Sequence, residues 1–237
     1  ISEYVTMQNQ ANNILTLKSP NKKQIIEAQN LYKKAKRKKR SRESIQKRIE
    51  FHMKKIADIE YCESFMDSLT YEEGEDNSNK LESIIELKEE VEEYVCIKEI
   101  NPKFKSKKEK NKSLNIKEIK SPSGLMIQIG KNNRQNEFIS LKKGKKGDLW
   151  FHAQESPGSH IVLKSSNGLS DDKDIQLAAD LASLFSRARG NKLVPIIVVP
   201  VENLQRISGG LPGTVSHRGG KVIWGQAERA EKYFRHN

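Results

Sequence analysis

Residues 148–160 read Asp-Leu-Trp-Phe-His-Ala-Gln-Glu-Ser-Pro-Gly-Ser-His and gather several reactive side chains in one short stretch. One chemistry they could support is hydrolysis, with Ser159 as nucleophile, His152 or His160 as base and Asp148 as orienter. Ser159 follows the Pro157-Gly158 pair, but no G-x-S-x-G elbow surrounds it. A second is metal binding by His152, His160 and Asp148, because a catalytic zinc wants three such ligands steadied by further hydrogen bonds. A third is purely architectural: Pro157-Gly158 fixes a tight turn and the histidines hydrogen-bond across it. The fourth is nucleic-acid contact. Period-two alternation puts Leu149, Phe151 and Ala153 on one face of a strand and Asp148, Trp150 and His152 on the other. An exposed Trp150 and His152 beside Lys142, Lys143, Lys145 and Lys146 would pair stacking with phosphate neutralisation. Gly130, Gly144 and Gly147 match neither a G-x-G-x-x-G nor a P-loop pattern, so no nucleotide cofactor is expected.

The elements that must position these residues read as a compact domain over 121–237. Residues 125–129 form a strand entering Gly130. Residues 130–136 are polar and read as a turn, with 137–141 as a returning strand. Residues 160–164 are a further strand. Asp171 caps a helix, with Asp174 three residues on, and Ile175, Ala178, Ala179, Leu181, Ala182 and Phe185 make its buried stripe. Arg187 and Arg189 suit its last turn and Gly190 its exit. The apolar run 194–199 reads as a central strand, residues 209–213 as a loop and 221–225 as a last strand. Strands outnumber helices, which predicts an α+β domain with a largely antiparallel sheet.

Upstream the pattern changes. Residues 2–6 and 13–17 read as two short strands around a Gln/Asn-rich turn, giving a β-hairpin over 1–19. Residues 20–97 read as coiled-coil helices. From Ala28 to Met66, apolar side chains recur at alternate steps of three and four. A first helix of about 50 residues would span about 75 Å. The second helix, from about 78 to 95, is too short to cover it, so the long helix needs another partner: an upstream helix or a second copy of the chain. His52, at a seam position, reads as a packed histidine. Residues 98–120 read as a Lys-rich linker that ends in a strand.

Charge is segregated along this arm. Residues 33–57 carry 12 basic and 2 acidic groups, whereas residues 58–97 carry 2 basic and 14 acidic ones. The densest cationic stretch is Lys33, Lys34, Lys36, Arg37, Lys38, Lys39, Arg40 and Arg42, where the helix is basic all round. A polyphosphate surface would relieve its self-repulsion. Overall the chain has 237 residues, 43 Lys+Arg against 31 Asp+Glu, a net charge of +12 and only 35% apolar residues. That balance points to a large anionic partner rather than a small ligand. Cys62 and Cys96 are too few for a disulfide framework, and no Cys/His spacing of a zinc site occurs. No apolar run approaches a membrane span, and neither a signal peptide nor an initiator Met opens the sequence, which reads as a cytoplasmic fragment.

The run 148–160 resembles the signature of the RNA-binding domain of the NFACT (RqcH-like) family of ribosome quality-control factors, often labelled fibronectin/fibrinogen-binding proteins. Residues 129–136 are similar to the family's Gly-[Lys/Arg]-Asn-Asn-x-Gln-Asn segment. Residues 178–189 resemble its helix, Pro212-Gly213 its late loop, and residues 14–17 and 27–34 its descending coiled-coil helix. The resemblance implies RNA contact through Lys131, Asn132, Asn133, Arg134, Asn136, the lysines at 142, 143, 145 and 146, Asp148, Trp150, His152, Ser159, His160, Arg187 and Arg189. It implies a ribosome-contacting arm at residues 33–42. It further implies binding to the large ribosomal subunit with an obstructed nascent chain, tRNA recruitment, and support of C-terminal alanine addition. No catalysis by this chain, no cofactor, no metal and no membrane partner are expected; tRNA, rRNA and coiled-coil self-association are. The family's amino-terminal domain, helix-hairpin-helix module and ascending helix are not in the sequence. Leu211 replaces the Lys that often precedes the late Pro-Gly, which weakens phosphate contact there. Two readings stand beside this one: an adhesin for fibronectin or fibrinogen, and a hydrolase using Ser159 and His160.

Overall fold

The computed structural model describes residues 3–71, 77–95, 114–208 and 210–236. Cys96 and most of the 98–120 linker lie outside the described residues. The chain divides into two compact units, residues 1–57 and 58–237. Helix α2 (Lys22–Tyr71) runs through the division.

In the first unit, the expected β-hairpin is replaced by helix α1 (Glu3–Leu15). Its Gln/Asn stretch, residues 8–12, is more than one full turn of that helix rather than a β-turn. Within it Asn9, Gln10 and Asn12 are exposed while Ala11 turns inward, and Ala11, Ala28 and Ala35 are all fully buried. Three alanines in one seam let two backbones approach closely at little cost in side-chain entropy. Lys38 pairs with Glu3 and the Tyr32 hydroxyl donates to Asn12 Oδ1, so the helices run antiparallel. Asn21 caps α2: its Oδ1 accepts from the Gln24 amide at 2.9 Å, and Gln24 Oε1 accepts from the Asn21 amide at 2.8 Å. Every cationic side chain from Lys33 to Arg42 is exposed. The seam beyond is open, with Ile45 54%, Ile49 46% and Ile56 57% exposed. His52, expected to be packed, is exposed too.

In the second unit, the end of α2 packs with α3 (Asn77–Val95) around Cys62, Phe65, Leu69 and Leu87. The remainder is the α+β domain. Its strands are β1 (Lys117–Lys120), β2 (Met126–Ile129), β3 (Leu149–Ala153), β4 (Ile161–Leu163) and β5 (Val194–Pro200). A short ribbon of β6 (Leu204–Arg206) and β7 (Val215–His217) precedes β8 (Lys221–Gly225). The main sheet has the order β1-β2-β4-β3-β5-β8 and is antiparallel throughout. β5 is interior and nearly all apolar because both its edges and both its faces are covered.

One face buries Phe151, Ile161, Leu163 and Ile196 beneath α5 (Asp172–Leu184) and α6 (Ala227–His236). Each such side chain contributes about 2–3 kcal/mol of burial. Helix α6 has no counterpart in the sequence reading. The expected cap at Asp171 is present: its amide donates to Asp174 Oδ2 at 2.8 Å. Burial alone would raise the Asp174 pKa, but bonds from the Ser123 and Asp171 amides outweigh it and hold the carboxyl below its ordinary range. Two expectations fail. Residues 130–141 are not a turn and a strand but helix α4 (Asn133–Glu137) followed by a turn of π-helix at Phe138–Lys142. Helix α5 also stops at Leu184, earlier than Gly190, and Phe185 is its cap.

Candidate nucleic-acid interface

β3 carries the signature, and its alternation is as read: Leu149, Phe151 and Ala153 face the helices. The other face is not open. Trp150 is only 3% exposed and packs with Ile139, Val162, Ile197 and Val199. The π-helical turn and the β6–β7 ribbon close over it; these segments are too short to announce themselves by periodicity. Its ring stacks on His152, centroids 5.5 Å apart and 5° from parallel, and meets the edge of His160 at 5.0 Å. A stacking platform for bases at Trp150 is therefore corrected to a core aromatic. His160 is fully buried, with Nδ1 2.8 Å from Ser140 Oγ. Burial pushes its pKa well below the ordinary value. Burial also takes His152 down to about 4, so neither ring is a cation at neutral pH. Ser159 Oγ is buried without a hydrogen-bond partner, so the Ser–His pair that hydrolysis needs is not assembled. Among the described residues no group of three or more His, Cys, Asp or Glu is arranged for a metal ion.

Asp148 is fully buried, which corrects its expected contact with RNA. One oxygen binds the Lys164 ammonium and the Lys145 amide, at 2.8 Å from the latter; the other accepts from the Ser166 amide at 3.1 Å and from its hydroxyl. Burial acts to raise its pKa, but Lys164 and Ser166 more than reverse that and keep it ionised. Lys164 Nζ also donates to the Lys143 carbonyl at 3.0 Å. The pair thus holds the loop 142–147 from beneath at Lys143 and Lys145. A Cβ on Gly144 would stand 2.5 Å from the Ser140 carbonyl oxygen, so only glycine passes there. Held this way, Lys142, Lys143, Lys145 and Lys146 are all exposed. Lys142 reaches Glu137 at 3.7 Å and Lys143 reaches Glu118 at 3.6 Å.

The Asn-rich segment is more buried than an RNA-contacting turn would be. Lys131, Asn132, Asn133 and Asn136 are each less than a tenth exposed, and Arg134 is half-buried. Asn132 Oδ1 caps α4 by accepting from the Gln135 amide at 2.8 Å, and the Lys131 amide donates back to Gln135 Oε1 at 2.9 Å. Asn136 Oδ1 accepts from the His160 amide at 2.9 Å. A Cβ on Gly130 would lie 2.2 Å from that same oxygen, which explains the glycine. These amides tie α4 to the 157–160 turn. That turn is clasped in its own right: the Ser159 amide donates to the Phe185 carbonyl at 2.8 Å and the Arg187 amide to the Pro157 carbonyl at 2.9 Å.

Sequence reading missed the groups that face this surface. The Tyr61 hydroxyl from α2 donates to the Gly158 carbonyl at 3.0 Å and lies 3.1 Å from His152 Nε2. Glu86 from α3 accepts from Asn132 Nδ2 at 3.1 Å and from Gln135 Nε2 at 2.8 Å. Arg187 meets Glu60 at 4.0 Å and Glu63 at 3.8 Å, and Arg189 meets Asp67 at 4.0 Å. The opposed charges of residues 58–97 and of the domain were the available signal.

Residues 116–219 match the family described as the NFACT protein RNA binding domain. The chain is 30% identical over 201 residues to the Rqc2 homolog RqcH of Bacillus subtilis, an alignment covering 84% of this chain and 33% of that protein. It is 35% identical over 147 residues to the Rqc2 homolog RqcH of Streptococcus pneumoniae, covering 62% and 26%. Among solved structures it is similar to the C-terminal part of the fibronectin/fibrinogen-binding protein from Streptococcus suis, with TM-score 0.71 and 27% identity over 97% of this chain and 90% of that one. The chain spans a third or less of the length of these curated relatives. The chain is NFACT/RqcH-like, and its residues 116–219 match the family's RNA-binding domain. No helix among the described residues is long and apolar enough to cross a membrane.

Proposed function

We propose that this chain is the RNA-engaging part of a ribosome quality-control factor. In this reading the whole protein binds the large ribosomal subunit carrying an obstructed nascent chain and supports tRNA recruitment for C-terminal alanine addition. Loop 142–147 neutralises RNA phosphates, and the basic stretch 33–42 of α2 lies against the subunit. Peptidyl transfer belongs to the ribosome, and the domain contributes position and charge. The observation that carries this is the match of residues 116–219 to an RNA-binding domain in which four lysines stand exposed on a pinned loop.

Reversing Lys142, Lys143, Lys145 and Lys146 to Glu tests it. Affinity for a tRNA transcript should fall at least tenfold, and the salt dependence of log K should flatten by up to about 3, at ~0.7 per phosphate contact. Cosedimentation of the same variant with large subunits, beside one with Lys36, Arg37, Lys39 and Arg40 reversed, separates loop from arm. Unchanged affinity and slope would sink the reading. The name of the Streptococcus suis relative supports a second reading, an adhesin for fibronectin or fibrinogen. Immobilised fibronectin in the same assay decides between them, since binding to it that ignores the lysine reversals would favour adhesion.

A further inference from the structure

The most acidic part of the chain lies on the part of the domain that the signature residues build. Glu60 and Glu63 face Arg187, Asp67 faces Arg189, and Glu86 takes the side-chain amides of Asn132 and Gln135. Tyr61 fills the space over His152 and the Gly158 carbonyl. All these contacts lie within the unit of residues 58–237. Their character is that of a releasable contact. The three ion pairs are 3.8–4.0 Å long, and the Glu60, Glu63 and Asp67 side chains are 48%, 61% and 56% exposed, so salt and competing anions reach them. The apolar cluster of this region, Cys62, Phe65, Leu69 and Leu87, holds the two helices to each other. Carboxylates on guanidinium and amide donors are also what phosphate oxygens would be.

We infer that the acidic face formed by the end of α2 and by α3 is a built-in competitor of RNA, seated on Arg187, Arg189, Asn132 and Gln135. The inference rests on the RNA-binding reading and adds regulation to it. The domain has two cationic regions, the lysine loop and an arginine surface whose Arg187 and Arg189 face carboxylates while staying 48% and 23% exposed, and RNA gains full contact with the second only by displacing those carboxylates. Loop contact comes first, and full engagement requires the helices to lift.

The test uses the full chain and a fluorescein-labelled tRNA transcript at fixed salt. One variant carries Glu60→Gln, Glu63→Gln, Asp67→Asn and Glu86→Gln. Its control carries Glu43→Gln, Glu82→Gln, Glu89→Gln and Glu92→Gln, the same change in charge on the same helices. The first set should bind at least fivefold more tightly than the natural chain, and the control less than twofold more tightly. Equal tightening by both sets would reduce the effect to net charge and overturn the inference, as would an unchanged or weakened first set. Failure of all three proteins to bind at low salt would instead bring down the RNA-binding reading itself, and the inference with it. Hydrogen exchange on the natural chain gives a readout free of substitutions: saturating tRNA should speed exchange across residues 77–95. Unchanged or slower exchange there would overturn the inference even if the variants misfold.

Discussion

The two cationic regions of the carboxy-terminal domain are held in opposite ways. The lysine loop is supported from inside, by a buried carboxylate and a nearly buried ammonium, and its four side chains are left exposed. The arginine surface is faced from outside, by carboxylates that stay half in water. An interior pair fixes geometry because its partners have nowhere else to go; an exterior pair holds only while nothing better arrives. Charge counting along the sequence treats both as positive surface. What separates them is where the supporting groups sit, beneath the loop or in front of the arginines.

Breaking the interior support should have the largest effect. Asp148→Ala leaves the Lys164 ammonium, 9% exposed, without its counter-ion and should cost about 3–5 kcal/mol in urea unfolding. Adding Lys164→Met should recover much of that loss. A cost under about 1 kcal/mol for Asp148→Ala would mean the pair does not pin the loop.

Acid should act on the other region, because His152 stands under Tyr61 there. Its folded pKa of about 4 lies below the ordinary 6.5. Above pH 6.5 the ring is neutral folded or unfolded and contributes nothing. Between 6.5 and 4 the unfolded chain takes up a proton that the folded one refuses, so stability falls as pH falls and levels off below 4. The loss should reach roughly 2 kcal/mol, less than the full shift because the ring keeps some contact with water. His160 acts in the same direction. Unfolding midpoints at pH 7, 5.5 and 4.5 check this, and His152→Gln should flatten the profile.

The smallest effect belongs to the exterior pairs. Arg187→Ala should change stability by less than about 1 kcal/mol, and 0.5 M salt should remove most of the difference. A larger, salt-independent loss would show that the arginine is structural.

How much of this was legible in the sequence follows the same divide between local pattern and long-range contact. β3, β4, β5 and β8 were readable because alternation or continuous apolarity over three to seven residues marks which faces are covered. The Asp171–Asp174 cap was readable because the groups that bond lie three residues apart. α1 was not. Its Gln/Asn content suits a turn, and its contacts with α2, the alanine seam, Lys38–Glu3 and Tyr32–Asn12, lie outside any local window. Residues 130–141 misled for a related reason: their amides bond to the 157–160 turn and to Glu86, which no local window contains. Trp150 was placed on the face of the strand opposite Phe151, where it lies. Whether that face meets water depended on elements of three to five residues elsewhere in the chain.

The buried pair of Asp148 and Lys164 also constrains how this sequence can change over generations. Either residue replaced alone strands a charge in the interior, so each single step leads through a less stable protein. The two positions, sixteen residues apart, can drift only together or after some other substitution has supplied stability in advance. The exposed lysines of the loop are under no such bond to one another, so each can be exchanged singly while the frame beneath them stays as it is.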